Sequence, residues 1–278
     1  MRIGVKPGQW GWSFDDLVAS WQAAEDAGFD IVSCFDHVSS APAALAAWNA
    51  PSLLTAMAGT TERIALAVDV LNVSLRHPFL LAGQLAVAQA ASRGRVEVGL
   101  GAGSYGLARF DHAALERPFP PLAERRRTLA RCCDLFPRLW RGEEVSDDNL
   151  GLAAASLGPI EILPPPVFVG GTSKETMAIA VRLADGWNGV VSDADRYAEL
   201  VRDVDDLCRQ ANRQRPLRKA AQVFVRDVEL ADAAELVADL EIAGADSVTF
   251  VLVEERGPTA VAELAEAVLP TPPREARS

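Results

Sequence analysis

The residues of this chain best placed for chemistry stand where runs of apolar residues break off. Asp30-Ile31-Val32-Ser33-Cys34-Phe35-Asp36-His37 is a strand-forming run that ends in an acid and a histidine. A free imidazole titrates near pH ~6.5, so a histidine here can hold or donate a proton close to neutrality, and the adjacent Asp36 could tune it. Successive strand residues point to opposite faces. The two side chains therefore need not touch: Asp36 would then only anchor a loop, and His37 alone is equally consistent with a hydrogen-bonded structural residue.

A second cluster is Gly170-Gly171-Thr172-Ser173, which leads into a helix beginning near Lys174. Paired glycines let backbone N–H groups approach an anion, the two hydroxyls add donors, and a helix N-terminus adds positive potential. A phosphate site is the sharp reading of that pattern, and a capped βα turn is the plain one. Gly101-Ala102-Gly103-Ser104 closes another apolar run and would admit a flat ligand or a second phosphate contact. His77, before Pro78, reads as the start of a helix, and His112 as a residue of a rim loop. Arg125-Arg126-Arg127 with Arg131 reads as the solvated first turn of a helix rather than an anion site. Cys34, Cys132, Cys133 and Cys208 match neither a metal knuckle nor a redox pair, so no metal is expected and Cys132 and Cys133 read as packing residues.

Positioning these residues falls to an alternation of strands and helices. Strand patterns cover residues 2–6, the run from residue 30, and residues 63–71, 95–100, 167–169, 186–191, 220–228 and 247–252, each followed by a helical pattern. Eight such repeats predict an α/β fold of the (β/α)8 TIM-barrel type. An open doubly wound sheet would show fewer repeats and a phosphate fingerprint after the first strand, which Pro7-Gly8-Gln9-Trp10-Gly11 does not match. One barrel domain is expected over residues 1–270, with a rim excursion at 141–166 and a frayed tail at 271–278. Chemistry in such barrels gathers at the C-terminal strand ends. That restricts the candidates to residues 6–12, Asp36 and His37, residues 69–72, 101–105 and 170–173, Trp187, Asn188 and Arg226.

With 49% hydrophobic residues and a mean hydropathy of +0.09, the chain can bury a large core. Its net charge of −11 argues against nucleic acid or an anionic membrane as partner, since both reward clustered Lys and Arg. The first residues enter a strand without an apolar signal core, and no apolar run approaches the ~18 residues of a membrane span. A reduced cytoplasmic location is the expectation.

Taken together, the motifs resemble the bacterial luciferase-like monooxygenase superfamily, most closely its branch using the deazaflavin coenzyme F420. The resemblance rests on residues 24–30, Phe35-Asp36-His37, Thr61-Glu62-Arg63-Ile64, Leu75-Arg76-His77-Pro78, residues 94–103, Val169-Gly170-Gly171 and residues 184–188, in family order. It implies a (β/α)8 barrel, usually a homodimer, with a flavin-type ring over the strand ends and a small organic molecule as substrate. By position, His37 would stand near the hydride-bearing carbon of the ring as proton donor or electrostatic support. Asp69 and Val70 would occupy a third-strand bulge where the family often has a cis non-prolyl peptide that buttresses the ring. Asn72 would meet the ring edge, Gly101, Ala102, Gly103 and Ser104 the ring or its side chain, and Gly170, Gly171, Thr172 and Ser173 the phosphate. Ser104 departs from the glutamate that deazaflavin sugar-phosphate dehydrogenases place there, which leaves their acid without an evident carrier and disfavours that substrate. The excursion at 141–166 is short for the superfamily, implying more open access or completion by a dimer partner. The resemblance implies hydride transfer with coenzyme F420; the alternatives are an FMN-dependent monooxygenase using dioxygen and a cofactor-binding protein without catalysis.

Overall fold

The computed structural model describes residues 1–39, 47–253 and 257–270. The tail expected to fray beyond residue 270 lies outside them. In chain order the elements are β1 (Arg2–Pro7), α1 (Phe14–Ala27), β2 (Ile31–Cys34), α2 (Ala50–Thr60), β3 (Ala65–Asn72), α3 (Pro78–Ala91) and β4 (Val96–Gly101). There follow α4 (Tyr105–Ala114), α5 (Leu122–Trp140), β5 (Val145–Asp147), β6 (Leu152–Ala155), β7 (Val167–Gly170), α6 (Lys174–Leu183) and β8 (Gly186–Val190). The last are α7 (Ala194–Gln210), β9 (Arg218–Phe224), α8 (Ala233–Ile242), β10 (Ser247–Leu252) and α9 (Gly257–Val268).

Eight strands close on themselves in the order β1-β10-β9-β8-β7-β4-β3-β2, every pair parallel. The expected (β/α)8 barrel is therefore the observed fold. Strands enclosed by helices outside and by one another inside should read as apolar throughout, and β2 and β10 are buried at every residue. Local signals act where the sequence places them. The Ser13 hydroxyl accepts the Asp16 N–H at 3.1 Å to start α1, and Gly28 ends it at φ 94°, in left-handed space that suits glycine.

Three differences bear on function. The fourth βα connection carries α4, so His112 sits buried on a helix rather than in a rim loop. Its N-cap, Ser104, was the available signal. The strand read through residue 228 ends at Phe224, and a 3-10 turn over Val225–Asp227 leaves Arg226 half exposed beside Asp227. The excursion at 141–166 forms the antiparallel β5–β6 hairpin against the outer wall, where Arg131 of α5 meets Asp147 at 3.1 Å and Gln89 of α3 donates to the Leu163 carbonyl at 2.7 Å.

The two ends of the barrel differ. At the N-terminal end Glu97 accepts from Arg2 at 2.8 Å and Arg218 at 3.3 Å, which pairs the charges there. At the C-terminal end the βα loops surround a cavity of about 540 Å³.

Candidate active site

The cavity floor is a polar network inside the barrel. Lys6 on β1 is 1% exposed, donates to the Asp69 carbonyl at 2.6 Å and to Gln222 Oε1, and lies 4.3 Å from the Phe35 ring centroid. Asp69 accepts from Ser33 Oγ at 2.8 Å and Asn188 Nδ2 at 3.1 Å, and Gln222 Nε2 donates to Asn188 Oδ1 at 2.8 Å. Burial of an ammonium favours its neutral form, and it pushes Lys6 down to about 8 against the opposing pull of Asp69. Burial likewise raises Asp69, opposed by the Lys6 charge and by the Ser33 and Asn188 hydrogen bonds.

Asp69 and Val70 stand at a register shift of β3 against β4, and their peptide bond is cis, as the resemblance implied. Val70 explains two glycines. A Cβ on Gly170 would lie 2.6 Å from Val70 Cγ1, and one on Gly101 would overlap Val70 Cγ2, whereas one on Gly99 would strike the Val68 carbonyl oxygen first. Gly101 and Gly170, read from sequence as space for a ligand, first make space for this isopropyl group. Gly103, at φ 76°, packs on the Asn72 amide instead.

Every residue singled out as catalytic or cofactor-binding lines this cavity, from Asp36 and His37 to Thr172 and Ser173. Their pairings differ from the sequence picture. Asp36 makes no hydrogen bond to His37 among the described residues; it is gripped by Arg76 and also accepts the Asn72 N–H. The acid that holds His37 is Asp111 of α4, at 2.7 Å from Nδ1, while the indole of Trp10 lies 5.1 Å away between ring centroids. Asp111 also accepts the Val38 and Ser39 N–H groups at 2.8 and 2.9 Å. Burial would raise its carboxyl, but these three hydrogen bonds prevail and hold it below the ordinary carboxylate range.

Asn72 is 4% exposed; its Oδ1 accepts from Ser74 N at 3.1 Å and Ser74 Oγ at 2.7 Å, while Nδ2 is buried with no partner among the described residues. His112 supports that loop from below, donating from Nδ1 to the Pro118 carbonyl at 3.0 Å and meeting Ser74 Oγ at 2.9 Å through Nε2. In the late turn the Gly171 N–H is taken by the Asn188 carbonyl at 3.0 Å, and the Thr172 and Ser173 N–H groups have no described acceptor. Ser173 caps α6 and receives Arg126 Nη2 at 2.9 Å. Arg125 is 4% exposed, stacks 4.2 Å over Phe119 and donates to the Ala102 carbonyl at 2.6 Å and to that of Gly103. The arginine cluster is thus not a solvated first turn: two of its members brace the loops around the cavity.

A closed parallel barrel whose βα loops enclose one mixed-polarity cavity over a buried polar floor is the architecture of barrel enzymes that work at their C-terminal strand ends. Residues 1–269 match the luciferase-like monooxygenase family, and the chain belongs to that family. It is 32% identical over 197 residues to an F420-dependent glucose-6-phosphate dehydrogenase of Beutenbergia cavernae, covering 67% of this chain and 56% of the relative. It is 32% identical over 184 residues to an F420-dependent hydroxymycolic acid dehydrogenase of Mycobacterium tuberculosis, covering 62% and 48%. The chain spans about half the length of these curated relatives. Among solved structures, an F420-dependent secondary alcohol dehydrogenase in complex with an F420-acetone adduct superimposes with a TM-score of 0.79 at 13% identity, over 96% of this chain and 98% of that one. At that identity the likeness is one of fold. No helix among the described residues is long and apolar enough to cross a membrane.

Proposed function

We propose that this chain is an oxidoreductase that transfers a hydride between coenzyme F420 and a small organic substrate. The observation that carries the reading is the convergence, on one cavity, of an acid-held histidine, a buried amide donor and a turn whose N–H groups have no acceptor among the described residues. The donor set fits a deazaflavin: Asn72 Nδ2 suits a carbonyl at the edge of a flat heterocycle, and Thr172 and Ser173 suit a phosphate. Dehydrogenases named for the same coenzyme among the relatives support the reading.

Bound there, the coenzyme would supply a two-electron hydride donor or acceptor. The work of the chain is then to hold the ring on Val70, to hold the phosphate on the turn before α6, and to move a proton through His37. Asp36 acts by fixing the chain that carries His37. The same donors would also serve FMN, and the family includes monooxygenases by name. The test is comparative: fluorescence titration and thermal shift with coenzyme F420 and with FMN. Quenching and stabilisation by F420 are expected, and neither would occur if the reading is wrong. Oxygen-dependent turnover with reduced FMN alone would establish the monooxygenase instead.

A second copy of this chain is the partner we propose. Helices α2 and α3 carry no charged side chain, pack side by side, and leave Leu80 and Val87 64% and 58% exposed. Uncharged exposed helix faces of this kind are what isologous dimers bury. The net charge of −11 supports a reading without nucleic acid or an anionic membrane surface.

A further inference from the structure

We infer that Asp111 is a positioning residue of the site, fixing the His37 ring so that Nδ1 carries a proton toward Asp111 and Nε2 is left to exchange protons with substrate. The inference rests on the proposed chemistry only for its consequence in turnover; the geometry stands by itself. Asp111 is 1% exposed and 2.7 Å from His37 Nδ1. A carboxylate can only accept, so that nitrogen must donate. Its other oxygen holds the Val38 and Ser39 N–H groups, so one side chain sets both the ring and the chain that carries it. Nε2 has no hydrogen-bond partner among the described residues, and His37 lines the cavity.

Ser104 is the N-cap of α4, and Asp111 lies seven residues, about two turns, farther along the same helix face. The helix that opens at Ser104 thus brings its acid to the histidine. For an alcohol substrate the balance would be complete: a bound deazaflavin would take the C–H electron pair as hydride, His37 Nε2 would take the O–H proton, and the C–O bond would become a carbonyl. The imidazolium formed is held against Asp111. Carbonyl reduction runs the same steps backward.

Asp111→Asn separates this role from simple scaffolding. An asparagine carbonyl can still take the Val38 and Ser39 N–H groups, but its amide then donates to Nδ1 and forces the ring proton onto Nε2. The first readout needs no cofactor: ¹⁵N NMR of imidazole-labelled protein, read on the alkaline plateau of the His37 ring signals. Wild type should show the Nδ1–H tautomer and Asp111→Asn the Nε2–H tautomer. The second readout is kinetic. Turnover with F420 should fall at least about 100-fold while F420 affinity stays within about twofold, and Asp111→Glu should restore part of the rate. A wild-type His37 protonated on Nε2 would overturn the inference, even if the variant fails to fold. A flipped tautomer with undiminished turnover would overturn its catalytic meaning. If wild type fails to bind F420, the proposed function fails while the tautomer measurement still decides the role of Asp111.

Discussion

Asp36 and Arg76 meet fork to fork, Nη1 to Oδ2 and Nη2 to Oδ1, both at 2.7 Å. The carboxylate is wholly buried, and Oδ2 also takes the Asn72 N–H at 3.0 Å. The pair ties the end of β2, where His37 emerges, to the loop after β3.

Removing one partner of such a pair strands the other charge in a water-poor site. Arg76→Ala should cost about 3–5 kcal/mol in urea unfolding. Arg76→Lys should recover only part of this, because an ammonium cannot reproduce the planar fork. Joint removal of Asp36 and Arg76 should cost less than the sum of the single losses. Destabilisation of Arg76→Ala by under about 1 kcal/mol, the range of an exposed pair, would rule out the brace.

Lys6 gives a pH signature. Its folded pKa of about 8 lies below the ordinary 10.5. Between those values the unfolded chain binds a proton that the folded chain does not, so stability rises with pH across that window. A drop of this size corresponds to about 3 kcal/mol in total. Below pH 8 both states are protonated and the cost of burying the ammonium is fully present. The difference in unfolding free energy between wild type and Lys6→Met should therefore grow in favour of wild type from pH 8 to 10. A flat difference would mean that Lys6 keeps its ordinary value.

The barrel was legible because parallel strands buried on both faces are apolar runs, and because residues such as Ser13 and Gly28 punctuate them. The cavity residues were legible for a related reason: a (β/α)8 barrel exposes its strand ends, so counting strands located them. Pairings between distant side chains were not legible. Nothing local tells Asp111 from any other helical acid, and it reaches His37 only because α4 folds over the strand end. Arg125 reads as one of three exposed charges until Phe119 and the carbonyls after β4 surround it. The glycines misled in one respect, since spacing announces missing side chains without saying whether a ligand or Val70 fills the gap.

Gly170→Ala tests that packing. Its Cβ would lie 2.6 Å from Val70 Cγ1, so Val70 must move into the cavity. Overpacking of this kind costs about 1–3 kcal/mol. F420 affinity should fall at least about tenfold, equivalent to about 1.4 kcal/mol. Adding Val70→Ala should restore room and part of both losses, read by fluorescence titration and melting temperature. No recovery in the double variant would show that Gly170 serves the ligand directly.

The α2–α3 face should behave as an interface between copies. Leu80→Glu with Val87→Glu places charge on its exposed centre, and sedimentation should shift from dimer to monomer with little change in folded stability. A wild-type chain that sediments as a monomer across the micromolar range would remove the basis for a homodimer.

Asn72 makes the most direct statement about a ligand. Its backbone N–H is used by Asp36 and its Oδ1 by Ser74, which leaves a buried Nδ2 donor beside Gly103 with no acceptor among the described residues. A buried unmet donor costs about 1–3 kcal/mol, and a ligand carbonyl that meets it regains that amount on binding. Asn72→Ala should therefore weaken F420 binding by about 5- to 150-fold. Asn72→Asp keeps the acceptor for Ser74 but turns the donor into a second acceptor, which repels a carbonyl at the ring edge. It should bind more weakly than the alanine variant. Fluorescence titration ranks the three, and an aspartate variant that binds as tightly as wild type would place the ring edge elsewhere in the cavity.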